Sequence, residues 1–96
     1  MLTPQNRSTL RSLATNLKDL VFIGKDGLTD NVINQIEDNL YAHELIKIKV
    51  QKSVIEDIKE MASDIEKKCD AEVVSIIGSK ILLYRYTNKP KFKHLI

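Results

Sequence analysis

Gly24-Lys25-Asp26-Gly27 is the stretch whose residue types and spacing could do chemistry. An apolar run, Leu20-Val21-Phe22-Ile23, leads into it, and Thr29-Asp30 opens a helix signature after it. The pattern predicts strand, short loop with two glycines, helix. The first glycine allows a sharp exit from the strand. The second permits backbone angles closed to other residues and lets a ligand's backbone come close. A helix start presents unpaired N–H groups and the positive end of its dipole. Lys25 adds a mobile cation. Together these parts describe a seat for a phosphate. The plainer alternative is a tight strand-to-helix turn. Asp30 favours the helix dipole, yet it also lies close to any phosphate and slightly opposes an anion.

No other constellation competes. The loop is not a Walker A motif, because its glycines are too close and no Gly-Lys-Ser/Thr follows. It also lacks the G-x-G-x-x-G of dinucleotide folds. His43 and His94 are far apart, and neither has a cysteine or a second histidine at ligand spacing, so no metal site is expected. Cys69 follows Lys67 and Lys68, which could lower its pKa, but a lone helix-end cysteine is usually inert. No carboxylate pair stands out, so neither an active site nor a small-molecule cofactor is expected.

The elements that position the loop follow from periodicity. Thr3-Pro4 is a cap and first-turn signature, and Leu10, Leu13, Ala14 and Leu17 mark a helix over residues 4–17. Arg7 and Arg11 are one turn apart, away from the centre of that face. A strand over 20–23 precedes the loop. Thr29 caps the second helix, with Leu28 and Ile33 as a hydrophobic staple and Val32, Ile33, Ile36 and Leu40 as its buried stripe. Residues 45–51 alternate, with Ile46, Ile48 and Val50 inward and Lys47, Lys49 and Gln51 towards water. Ser53-Val54-Ile55-Glu56 reads as a capping box that starts a third helix. Its apolar stripe runs from Ile55 to Ile65, and Asp57, Glu60 and Asp64 lie on a solvated face. Two β-rich runs, 71–77 and 80–86, flank Gly78-Ser79 as a hairpin. The order is α-β-α-β-α-β-β. The fold class is α/β, a two-layer domain on a mixed four-stranded sheet over residues 1–86. Residues 87–96 are expected to form a loose basic tail.

Ninety-six residues suit one domain, and 43% hydrophobic with 29% charged residues is an ordinary globular composition. No apolar run approaches the length of a membrane span, and no signal-like segment opens the chain. With a single cysteine, a cytoplasmic setting is expected and no membrane partner. The net charge of +2 is unevenly spread. Residues 1–18 and 78–96 carry basic residues and no acid, so all the acids lie between them. Basic ends brought together would suit a polyanion.

These residues resemble the CRM domain family, whose bacterial stand-alone members are the YhbY-like RNA-binding proteins. The resemblance starts at Leu2-Thr3 and Leu10-Arg11-Ser12-Leu13-Ala14. It is strongest from Ile23 to Ile33, around G-K-x-G-L-T, and continues in Glu44-Leu45-Ile46-Lys47-Ile48-Lys49-Val50. It ends with Val73-Val74, Ile77-Gly78 and Leu83-Tyr84-Arg85. It implies a fold similar to the C-terminal domain of translation initiation factor three and a G-x-x-G loop used on RNA as KH domains use theirs. It also implies association with precursors of the large ribosomal subunit. Plant relatives act in organellar intron splicing. Many members carry a smaller or neutral residue where this chain has Asp26.

The expectation is therefore a non-enzymatic RNA-binding protein acting in large-subunit ribosome assembly. Gly24, Lys25, Asp26, Gly27 and Thr29 would form the loop seat, with Lys47, Lys49, Arg7, Arg11 and Arg85 in support. Scarce aromatics speak against a stacking platform of RRM type, and for Tyr84 and Tyr86 a packing role is favoured. The alternatives are a small-molecule nucleotide-binding or regulatory module using the same loop, and a protein-interaction adaptor. The oligomeric state is not legible.

Overall fold

A computed structural model of the protein describes residues 2–96. The elements run α1 (Pro4–Ala14), β1 (Asp19–Ile23), α2 (Asp30–His43), β2 (Leu45–Val50), a 3₁₀ segment (Lys52–Asp57), α3 (Ile58–Cys69), β3 (Glu72–Ile77) and β4 (Lys80–Tyr84). The sheet order is β1-β2-β4-β3. β1 and β2 are parallel, joined through α2, and the other two pairings are antiparallel. The alternation of β2 sets the layers. Ile46, Ile48 and Val50 point inward and pack with Ile36, Leu40, Met61 and Ile65 of α2 and α3. The outward residues Leu45, Leu82 and Tyr84 pack instead with Leu10 and Ala14 of α1. α1 thus adds a partial third layer to the two expected, and the far side of the sheet is only half wet. Among the described residues no helix is long and apolar enough to cross a membrane.

The caps explain which boundaries were legible. Thr3 accepts from the Asn6 N–H, and Thr29 from the Val32 N–H, as their spacing predicts. α1 is shorter than expected: it stops at Ala14, and the Leu17 N–H donates to the Ala14 carbonyl in a turn. The capping box at Ser53 is a correction. Ser53 lies inside the 3₁₀ segment, no side chain caps that segment, and α3 begins only at Ile58. The chain is held there by its backbone: the Gln51 N–H donates to the Ile23 carbonyl and the Val54 N–H to the Gln51 carbonyl. That winding removes Ser53 from a cap position. Gly78 opens the two-residue hairpin turn with φ +59.

The tail is a second correction. It is not loose but folds back onto Glu44, the residue joining α2 to β2. Glu44 is fully buried. Its carboxylate accepts from the Thr87 N–H at 3.0 Å, the Leu95 N–H at 3.1 Å and His94 Nδ1 at 2.6 Å. Leu95 then reaches the α1 cluster, and His94 stacks on Tyr86 with ring centroids 4.3 Å apart.

Candidate nucleic-acid interface

β1 ends at Ile23 and the loop turns at once. The Gly27 N–H donates to the Gly24 carbonyl at 3.0 Å, and the Thr29 N–H to the Gly27 carbonyl at 3.1 Å. Gly27 has φ +71, and a Cβ placed on it would meet no atom within 4 Å. Its glycine is required by the turn, and the space over it is open. Gly24 differs: its φ is not positive, and a Cβ there would lie 3.4 Å from Gln51 Oε1 and 3.6 Å from Phe22 Cε2. Lys25 and Asp26 are exposed at the tip. Beyond them, Thr29 occupies the Val32 N–H, and the N–H groups of Asp30 and Asn31 make no hydrogen bond among the described residues. Gly24, Lys25, Asp26, Gly27 and Thr29 therefore lie together in one turn at the start of α2.

The two sides of this loop differ in charge. Towards α3, a cleft of about 330 Å³ is lined by Lys25, Gly27, Asp26, Asp57, Glu60 and Asp64. One lysine faces four carboxylates, so that side repels an anion. Towards the sheet's outer face, Lys49 stands exposed beside Phe22, its register partner on β1. Lys80 follows on β4 and holds an ion pair with Asp19 at 3.3 Å.

The remaining sequence-predicted residues divide. Lys47 is half-buried and its Nζ donates to the Leu17 carbonyl at 3.1 Å, so it tethers the α1–β1 connection. Arg11 is exposed and lines a shallow hollow of about 190 Å³ with Lys47 and Lys80. Arg7 is tied into the fold: it pairs with Glu72 and donates to the Val73 carbonyl at 2.9 Å and the Val74 carbonyl at 3.1 Å. Arg85 pairs with Glu37 at 2.6 Å and donates to the Cys69 carbonyl at 2.9 Å. Both lie where Glu72, Tyr84 and Leu45 are in register, the end of the sheet opposite the loop. They join elements rather than face a ligand at the loop.

Cys69 is buried, and burial with the neighbouring Glu37 pushes its thiol up to about 11. The nearby cations Arg85 and Lys68 do not activate it, because desolvation outweighs their attraction. Burial also raises the Tyr84 phenol, with Glu44 adding to it. Among the described residues no group of acids, histidines and cysteine could hold a metal ion. Phe22 and Lys80 escaped the sequence reading. The signal for Phe22 was present: on β1 it alternates with the buried Val21 and Ile23, so it must face outward.

Residues 2–85 match the CRS1 / YhbY (CRM) domain model, nearly the whole chain. The chain belongs to the CRM domain family. Similar proteins include Probable RNA-binding protein YqeI of Bacillus subtilis, 37% identical over 91 residues, with 95% of each chain covered. Probable RNA-binding protein MJ0652 of Methanocaldococcus jannaschii is 41% identical over 86 residues. That match covers 88% of this chain and 63% of the relative, so the chain spans under two thirds of that protein. The solution structure of Staphylococcus aureus SAV1595 superposes with a TM-score of 0.80 at 41% identity, covering 95% of each chain. The CRM fold and the α/β topology read from the sequence are thereby borne out.

Proposed function

We propose that this CRM domain binds RNA through the Gly24–Gly27 loop and the start of α2, and that its target is ribosomal RNA in precursors of the large subunit. The observation that carries the loop assignment is the open space over Gly27, next to two unpaired N–H groups and an exposed lysine. A phosphate placed there gains N–H donors, the helix dipole and the Lys25 charge together. The names of the relatives as RNA-binding proteins support the partner class. The acidic wall of α3 means that RNA would approach from the outer face of the sheet. The same wall speaks against the nucleotide-module alternative, whose ligand would have to enter the cleft beside the four carboxylates. Recognition of shape and backbone suits a loop built from main-chain donors. No catalytic step is assigned.

Binding to a precursor large-subunit RNA, titrated at several salt concentrations, tests this. With roughly four phosphates neutralised on a single strand, the log–log slope is expected near −3. Lys25→Ala should weaken all RNAs alike and lower that slope by somewhat under one. Gly27→Asp should be worse, because it sets a carboxylate and a Cβ where the phosphate would sit. Folded Gly27→Asp protein that binds as tightly as wild type would reduce the loop to a turn. Crosslinking in cells, with sequencing of the bound RNA, tests the ribosomal target. Reads without enrichment of large-subunit precursors would reject it.

A further inference from the structure

The outer face of the sheet is covered only in part. α1 packs over Leu45, Val74, Leu82 and Tyr84, which leaves the end of the sheet beside the loop uncovered. Register defines what stands there. Phe22 pairs with Lys49, Lys49 with Lys80, and Lys80 with Ile77. One residue from each of the four strands thus forms a single transverse row, about 14 Å long at the usual strand spacing. Phe22 is 52% exposed and Ile77 69% exposed. The Phe22 ring also borders the loop, since its Cε2 is 3.6 Å from where a Gly24 Cβ would be. The row therefore begins at the phosphate seat and carries lysines in its middle.

We infer that Phe22 is a base-stacking platform, and that single-stranded RNA leaving the Gly24–Gly27 loop crosses this row with a base on the Phe22 ring and phosphates beside Lys49 and Lys80. The inference rests on the reading of the loop as an RNA site and extends it. A half-exposed aromatic ring offers a π-face that any base can use, and adjacent lysines suit the linking phosphates. The row is continuous with the loop. Asp19, paired to Lys80, opposes a phosphate at that position, so Lys49, exposed and without an ion pair among the described residues, carries the larger share. A protein partner would need to match two lysines set between the apolar residues of the same row.

The test uses a single-stranded RNA oligonucleotide with 2-aminopurine placed at successive positions, titrated against wild type, Phe22→Ala, Phe22→Leu and Phe22→Tyr. In wild type, fluorescence at one position should be quenched on binding. Phe22→Ala and Phe22→Leu should each lose that quench and weaken binding about tenfold, with the salt slope unchanged. Phe22→Tyr should restore both. Lys49→Ala should keep the quench and lower the slope. The leucine variant keeps an apolar side chain at the site, so a result is obtained even where alanine impairs folding, checked by circular dichroism. If folded Phe22→Leu binds and quenches like wild type while Gly27→Asp does not bind, the loop stands and the stacking platform is rejected. The row would then be left for a protein contact. Absence of RNA binding by wild type overturns both readings.

Discussion

Gly24 and Gly27 sit at opposite ends of one turn, and only Gly27 needs its glycine for backbone reasons, at φ +71. The arginines show a parallel contrast. Arg11 is exposed, whereas Arg7 and Arg85 spend their donors on carbonyls and carboxylates of neighbouring strands and helices. Positive charge in a sequence does not say which cations are free, because pairing is decided by residues distant in the chain. Glu37 and Arg85 are 48 positions apart. Arg85→Ala should therefore cost stability, about 1–3 kcal/mol from lost charged hydrogen bonds at a partly exposed site. It should leave the salt dependence of RNA binding unchanged. Denaturant unfolding and the binding slope measured on the same protein check this. A variant of wild-type stability whose slope falls by about one would make Arg85 a phosphate contact.

Elements separate by what closes them. Where one side chain meets a nearby N–H, as at Thr3 and Thr29, the signal lies within a few residues and the sequence is enough. Where the chain is held by distant backbone, the local signal misleads. Ser53-x-x-Glu56 has the spacing of a capping box, but the bond from Gln51 to Ile23 commits the chain to a 3₁₀ path first. The two serine/threonine sites give opposite expectations. Thr29→Ala should destabilise by ~1 kcal/mol. Ser53→Ala, at an exposed position with no cap to lose, should stay within about 0.5 kcal/mol of wild type. Chemical denaturation of both resolves it, and a loss of ~1 kcal/mol at Ser53 would restore the capping box. The same distinction explains the loop. Its glycines, lysine and capped helix were legible because all lie within six residues. The acidic cleft beside it needed α3, and the Phe22 row needed the register of four strands.

At the scale of the molecule, charge and tail share one logic: segments distant in sequence are brought to opposite ends and faces. The acidic side of α3 lies behind the loop, and Lys49 with Lys80 in front of it, so a polyanion has one approach. At the other end, the basic termini do meet, through Leu2, Leu17 and Leu95 packed on the α1 cluster, so apolar contacts join them, and Glu44 anchors the tail. Composition suggested a loose tail after Thr87 because lysines alternate around Pro90. It could not show that Glu44, at φ 69 between α2 and β2, needs donors for a buried carboxylate. Thr87, His94 and Leu95 supply them. Ending the chain after Asn88 removes two of the three donors and uncovers the apolar surface under Leu95. A buried carboxylate left short of donors, together with the lost apolar burial, implies a cost of about 2 kcal/mol or more. For a domain of this size that lowers the Tm by roughly 8–16 °C. Glu44→Gln should lower the Tm of the full chain as well, but should matter much less once the tail is gone, because the two changes act on one set of bonds. Thermal unfolding of the four proteins in this cycle measures the coupling. Additive effects would mean that the tail and Glu44 stabilise the fold independently.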